Sequence, residues 1–425
     1  PRSTLFPYTT LFRSLQQSYK RTKNEKPVVV RLEKKSILAR QFVFLNEEQL
    51  AIWRGEKHQL IHGVAGSGKT ILIQHKALEC VKRNEKVVIF VPTILGKLYK
   101  EFFSSNGILF LHFNFKRDSQ KSKQNSLVDC SSEFFKKFLR KGKPCDEKLL
   151  IVTVHQQPLF LSSVDSVVKE GERVDDFHIF VDEFQSFPAA RSLADFFICH
   201  QSPSFYQWIA YEVRQQLKHE QYFDSFGFDG AIFYLCETKK FLHAPSLMTV
   251  MRCTSQIFSK LKYHCMPLIC SYNPEQEKFV EKYWNNEIKL GHHVDGPEIR
   301  DIPFRTFVSD EERSIFYVKI INDEINAWAK VDDTVYYNRV AILVEDQVWY
   351  RRLSSYLEKE GIKHCRIGDY KDNKDAVVLD LQRHAQSYEW LVVIVFVDDP
   401  HGVDESVLYV PFSRAVTRLV TAWTS

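Results

Sequence analysis

The sequence predicts an α/β protein made of two parallel sheets in series, each covered by helices. Short, wholly apolar runs recur along the chain, of the kind carried by a strand buried on both faces. Segments of helical period with polar caps alternate with them. A glycine-rich turn joins the first apolar run to the first long helix. The series pauses near residue 247 and then begins again, so two such units follow one another.

In chain order, Asn46 to Trp53 reads as a helix, with Asn46 as N-cap and Glu47 and Glu48 in its first turn. His58 to His62 is a short strand, and Thr70 to Arg83 the helix after the glycine turn. Lys86 to Pro92 (KVVIFVP), Leu149 to Val154 (LLIVTV) and Phe177 to Val181 (FHIFV) are buried-type strands. Two stretches interrupt them. His112 to Pro144 is polar and basic, and Pro188 to Gly230 is aromatic-rich and reads as a helical insertion. The second unit has strands at Arg339 to Val344, Ala376 to Leu379, Leu391 to Val397 and Val407 to Val410.

The 425 residues carry 58 Lys and Arg against 53 Asp and Glu, a net charge of +5 that is too mild to demand a polyanionic partner. Nine cysteines lie between Cys80 and Cys365 without C-x-x-C spacing. Neither His264-Cys265 with Cys270 nor Cys199-His200 makes a four-ligand finger, so reduced thiols of an intracellular protein are expected, cytoplasmic or nuclear. No apolar run reaches the roughly 18 residues of a membrane helix. Pro1 to Ser14 (PRSTLFPYTTLFRS) resembles a translated sequencing adaptor and carries no fold information. The natural N-terminus is therefore expected upstream, with a basic linker over 15–40, a first lobe over 41–246 and a second over 247–425. The C-terminus, close behind a strand, is expected to extend further.

Gly63-Val64-Ala65-Gly66-Ser67-Gly68-Lys69-Thr70 fits G-x-x-x-x-G-K-[ST] at every defined position, after a strand and before a helix. Such a loop turns backbone N–H groups toward phosphate oxygens at a helix N-terminus. Lys69 is expected on the β- and γ-phosphates of ATP, and the Thr70 hydroxyl on Mg²⁺. Its acidic counterpart is Asp182-Glu183-Phe184-Gln185, closing an apolar strand. Asp182 is expected to hold Mg²⁺, Glu183 to act as general base toward water, and Gln185 to sense the γ-phosphate.

A phosphate loop followed by D-E-x-Q resembles superfamily 1 helicases, P-loop NTPases built from two RecA-like lobes. Phe44 to Gln49 resembles their Q motif, with Gln49 on the adenine. Val88 to Lys97 resembles motif Ia, a strand and then a loop facing nucleic acid, and Thr153-Val154-His155 resembles motif Ib. Val250 to Thr254 resembles motif IV, which implies Arg252 at the γ-phosphate. Ser387-Tyr388-Glu389-Trp390 stands at motif V, with Glu389 toward the nucleotide, and Leu408 to Ala415 resembles motif VI, with Arg414 as arginine finger. From Phe42 onward the chain looks most like the helicase region of group III Schlafen proteins. That resemblance rests on the loop, D-E-x-Q, Gly291-His292 with Gly296-Pro297, and Val377 to Val397. It implies that a Schlafen core, tied to RNA cleavage in some members, could precede this region.

The chain departs from that pattern in three places. Ile232 to Lys240 (IFYLCETKK) stands at motif III, with Cys236 and Lys239 where Asp and Gln belong. Ser387 replaces a Gly, and Met251 replaces an aromatic. Three functions stay open: an ATP-driven motor on single-stranded RNA or DNA, an ATP-dependent switch acting on a partner or attached nuclease without unwinding, and a signalling NTPase. His112 to Pro144 has nine Lys and Arg against three Asp and Glu, interleaved with Phe113, Phe115, Phe134, Phe135 and Phe138. It reads either as a strand-binding surface or as a solvated basic loop over a helix at Ser132 to Leu139. Phe102 and Phe103 read as core.

Overall fold

The computed structural model describes residues 45–424 apart from 109, 112–134, 141–147, 172–173, 188–189, 214–226, 239, 265–273, 293, 332–333, 336, 371–372, 374, 386–387 and 399–404. The linker at 15–40, most of the basic stretch, Lys239 and Ser387 lie outside these residues. The first sheet has seven parallel strands: β1 (His58–His62), β2 (Val87–Val91), β3 (Phe110–Leu111), β4 (Leu149–Thr153), β5 (His178–Val181), β6 (Gln207–Tyr211) and β7 (Leu242–His243). Their order is β3-β4-β2-β5-β6-β1-β7. Next come a short parallel pair, β8 (Thr249–Val250) with β9 (Lys289–Leu290), the strand β10 (Arg300–Arg305), and a hairpin of β11 (Lys330–Val331) and β12 (Thr334–Val335). The second sheet adds β13 (Val340–Val344), β14 (His364–Cys365), β15 (Val377–Leu381), β16 (Trp390–Asp398) and β17 (Ala415–Thr424). It is again parallel, in the order β10-β17-β16-β13-β15-β14.

The apolar runs make strands because both faces of each are buried. Along β2, Val88 and Phe90 enter one core with Leu150, Ile179 and Ile209. Val87, Ile89 and Val91 enter the other with Ile151, Phe180 and Trp208. The second sheet repeats this alternation: Leu343, Val393 and Leu419 face one way, and Ile342, Ile394 and Val420 the other. Helices cover both faces, as parallel crossovers require. The helix Lys69–Lys82 closes one face of the first sheet. Its buried Lys76 ammonium lies 4.5 Å from the Trp53 ring centroid and 4.3 Å from that of Tyr206. No described helix is long and apolar enough to cross a membrane.

The strand at His58–His62 lies where expected, and the other predicted boundaries shift by only a few residues. Three expectations fail. The stretch 188–230 is not a helical insertion: after the helix Ala190–Cys199 it supplies β6, in the middle of the first sheet. Only Trp208 to Tyr211 is apolar there, too short a run to stand out among aromatics, yet every residue of β6 is buried. Val407 to Val410 is no strand but part of the helix Glu405–Phe412. β16 and β17 are parallel neighbours, so the chain must cross back between them, and this helix makes that crossing. Ile232 to Glu237 lies in the helix Gly227–Glu237, not at a strand end beside the glycine loop.

The second sheet depends on one buried carboxylate. Asp380, 3% exposed, accepts from the backbone N–H of Ile367 (3.0 Å) and of Leu381 (2.8 Å) and from Arg366 Nη1 (2.8 Å), and faces His384 Nδ1. Burial alone would raise its pKa, but His384 and these donors hold it below the ordinary value. Its contribution is therefore present at neutral pH and fades as pH falls through the folded-state value. Asp380→Ala is expected to cost about 2 kcal/mol in urea unfolding at pH 7, because it strands two backbone donors and leaves the half-exposed Arg366 guanidinium without its carboxylate. A change below about 0.5 kcal/mol would contradict this role.

Candidate functional site

The glycine loop runs from the end of β1 to the helix Lys69–Lys82, and the chain grips it on several sides. Val64 N donates to Leu247 O (3.0 Å), and Met251 N to Gly66 O (3.2 Å). The segment leading into the second unit therefore runs along the loop, and Val64 and Ala65 pack into the core beneath the second sheet. Gly66 and Gly68 have φ of +76° and +93°, a region that glycine enters at little cost. A side chain at Gly68 would also meet Gln49 Nε2 at 2.5 Å.

Gln49 is fully buried. Its Oε1 accepts from Asn46 N (3.1 Å), completing a capping box, and its Nε2 donates to Ser67 O (2.7 Å). Beside it, Glu48 accepts from the backbone N–H of Met248 and Thr249 (3.1 Å each) and from Thr249 Oγ1 (2.9 Å). Glu48 thus ties the first helix to the segment that leaves the first sheet. The sequence showed it only as a first-turn acid.

β5 delivers Asp182 and Glu183 beside the loop. Asp182 is fully buried and accepts at Oδ2 from Tyr99 Oη (2.8 Å). Burial, and then the neighbouring Glu183 carboxylate, pushes its pKa up to about 6. The Thr70 hydroxyl interacts with the same carboxylate, and Oδ1 is buried without a hydrogen-bond partner among the described residues. A buried carboxylate oxygen beside a hydroxyl is an oxygen donor set that fits a hard divalent cation such as Mg²⁺. Glu183 holds φ of +55°, rare for a residue with a side chain, and strain of this kind concentrates at working sites. Gln185 donates from Nε2 to Glu183 Oε2, and its Oε1 accepts from Glu212 N (3.0 Å).

Glu212 is the residue the sequence reading missed. It follows β6, the hidden strand, and is fully buried. Its Oε1 accepts from Ala65 N (2.9 Å), and its Oε2 pairs with Lys69 Nζ (3.2 Å), which also donates to Gly63 O (2.6 Å). An acid after an apolar strand is what was sought at Ile232 to Lys240. The strand end beside the loop belongs instead to Trp208-Ile209-Ala210-Tyr211-Glu212, with Gln215 and Gln216 beyond it outside the described residues.

The second unit brings its cations to the same place. Arg252 pairs through Nη1 with Glu389 and donates through Nη2 to Ser413 O (2.8 Å). Burial alone would lower its pKa, but Glu389 reverses this and holds it above the ordinary value. Arg414 is 2% exposed, and its hydrogen-bond acceptors among the described residues are uncharged: Val410 O (3.1 Å from Nε) and Ser413 Oγ (2.6 Å from Nη2). Burial, and then the nearby charge of Arg252, lowers its pKa to about 10. Tyr409, five residues earlier in the helix Glu405–Phe412, accepts at Oη from Ala65 N (3.0 Å) and donates to Glu212 Oε1 (2.6 Å).

Three other features do not join this site. Of the aromatics in the basic stretch, Phe135 and Phe138 are fully buried in the first core, with Phe135 packed on Phe160, so neither offers a face to a nucleic-acid base. Phe103 is core as expected. Val88 to Lys97 is a strand followed directly by the helix Thr93–Ser105, not by a loop. Cys80, Glu85 and His178 cluster within 4.8 Å of one another. His178 Nδ1 accepts from Tyr206 N (2.8 Å), which leaves the ring proton on Nε2 facing Glu85 (3.0 Å), and burial pushes the Cys80 thiol up to about 12. That tautomer and that thiol oppose metal ligation.

Gly68→Ala is expected to cost about 1–2 kcal/mol in thermal or urea unfolding, from positive φ and the Gln49 contact together. Gln49→Ala removes the colliding amide, so the double variant should be more stable than the summed single costs imply. Strict additivity would show that Gln49 does not press on the loop.

No family model matches this chain, and no curated protein does. Among solved structures it is similar to an arterivirus nonstructural protein 10 helicase (12% identity, 86% of this chain, TM-score 0.39), to the same helicase in complex with DNA (12%, 86%, 0.41) and to a PRRSV helicase (11%, 86%, 0.40). The chain spans 59%, 60% and 52% of their respective lengths.

Proposed function

We propose that this chain binds ATP with Mg²⁺ at the glycine loop and hydrolyses it, as a helicase-like ATPase of group III Schlafen type acting on single-stranded RNA or DNA. The observation that carries this reading is the meeting of both units at one loop. Lys69, Thr70, Asp182 and Glu183 come from the first; from the second, Tyr409 bonds Ala65 and Glu212, Arg252 lies beside Gly66, and Arg414 lies within electrostatic reach of Glu183. What supports a nucleic-acid partner is the order of the sequence motifs; the buried Phe135 and Phe138 remove two residues from the argument based on the basic stretch.

The roles follow from the chemistry of the groups. Loop N–H groups and Lys69 bind and orient the phosphates. Thr70 and Asp182 would hold Mg²⁺, which neutralises phosphate charge when bound. Glu183 takes a proton from the attacking water at its carboxylate, steadied by Gln185. Arg414 is a buried cation with no carboxylate hydrogen-bonded to it among the described residues, so its charge is available to the transferring group. Arg252 is pre-oriented by Glu389.

The switch reading drew its support from the altered residues at Ile232 to Lys240. That support weakens, because Ile232 to Glu237, with Cys236, occupies a helix, while Lys239 lies outside the described residues. ATP turnover measured with and without single-stranded RNA and DNA separates the two readings. Stimulation by either strand is expected, and a rate indifferent to both would favour the switch. In the same assay Lys69→Ala should abolish binding. Glu183→Gln should bind ATP yet turn over at least about 100-fold more slowly, the range of general-base catalysis. Unchanged turnover in Glu183→Gln would remove it as the base.

A further inference from the structure

The carboxylate of Glu212 sits on two donors at once: the N–H of Ala65 at 2.9 Å and the ammonium of Lys69 at 3.2 Å. These are a loop N–H and the lysine that phosphate-binding loops turn toward the terminal phosphates of a nucleotide. A carboxylate and a phosphate cannot both take them. Glu212 is fully buried, comes from the first sheet, and is held in place through its own N–H by Gln185. Tyr409 comes from the other unit, in the helix that precedes Arg414, and its hydroxyl bonds to both members of the pair, Ala65 N and Glu212 Oε1.

We propose that Glu212 is an internal competitor for the phosphate donors, and that Tyr409 ties its position to the second sheet. Phosphate reaches Lys69 only by displacing the Glu212 carboxylate. That displacement breaks the Tyr409 bond across the cleft and frees the helix Glu405–Phe412, on which Arg414 follows. Occupancy of the loop is thereby relayed to the unit that supplies the arginines. The relay uses no exposed group: Glu212, Tyr409 and Lys69 are 0%, 3% and 6% exposed. This inference rests on the nucleotide reading above and adds a defined competitor and a defined relay to it.

The test measures ATP–Mg²⁺ affinity by titration calorimetry on the full chain, with AMP as control. Glu212→Gln keeps the shape and removes the charge. It is expected to bind ATP at least about tenfold more tightly, the factor carried by one charge-assisted hydrogen bond. AMP, which lacks the β- and γ-phosphates assigned to Lys69, should show no gain. Tyr409→Phe, which loses only a hydroxyl, should bind ATP a few-fold more tightly, and the two gains should not add. Hydrogen exchange in the helix Glu405–Phe412 should quicken when ATP is added to the unaltered protein, and should be fast already in Tyr409→Phe. Lys69-dependent ATP binding that is unchanged or weakened in both variants would overturn the competitor. A gain with AMP equal to that with ATP would overturn its placement at the terminal phosphates. Absence of Lys69-dependent binding in the unaltered protein would instead overturn the nucleotide reading itself.

Discussion

Parallel pairing is the constraint on which the rest of the structure depends. Because every strand of the first sheet runs the same way, the carboxyl ends of β1, β5 and β6 emerge together. Those ends carry the glycine loop, Asp182 with Glu183, and Glu212. The second sheet is also parallel, yet it offers the other edge: Glu389 immediately precedes β16, and Arg414 immediately precedes β17. One unit therefore contributes strand ends and the other strand beginnings. The two edges meet through Ala65, Tyr409 and Glu212, and the Leu247–Met251 backbone lies along the loop.

Much of this was legible in the chain. The strand at His58–His62, the loop and the acidic pair at Asp182-Glu183 each combine an apolar run with punctuation that has a single local meaning. Arg252 and Arg414 could be placed only by their order after those motifs; in the structure Arg252 lies beside Gly66 and Arg414 within electrostatic reach of Glu212 and Glu183. What stayed hidden is also explicable. β6 was hidden because its short apolar run, Trp208 to Tyr211, follows an aromatic-rich stretch; in the fold Ile209 and Tyr211 face one core and Trp208 and Ala210 the other. Glu212 was lost with it. Leu408, Tyr409 and Val410 have strand-like composition, but the crossing between two parallel strands makes them a helix, so topology overrides propensity. Tyr409 then shows its use only in three dimensions.

The charges in the cleft are arranged unequally. Lys69 and Arg252 each have a carboxylate, Glu212 and Glu389. Arg414 has neutral acceptors, and burial together with Arg252 depresses its pKa to about 10. A buried cation without a bonded carboxylate costs stability, and a fold keeps one where the charge has a task. Asp182 is the matching case of opposite sign, a buried carboxylate with one oxygen lacking a hydrogen-bond partner among the described residues. The two lie on different units and share Glu183 as a charged neighbour.

The central claim is that the two sheets complete one site between them. It is tested most directly by Arg414→Gln, with ATP affinity and single-turnover hydrolysis measured on the same preparation. The account predicts affinity within a few-fold of the unaltered protein and hydrolysis slower by at least about 1,000-fold, the scale on which a transition-state arginine acts. Hydrolysis within twofold of the unaltered rate would contradict it and would confine the working site to the first sheet.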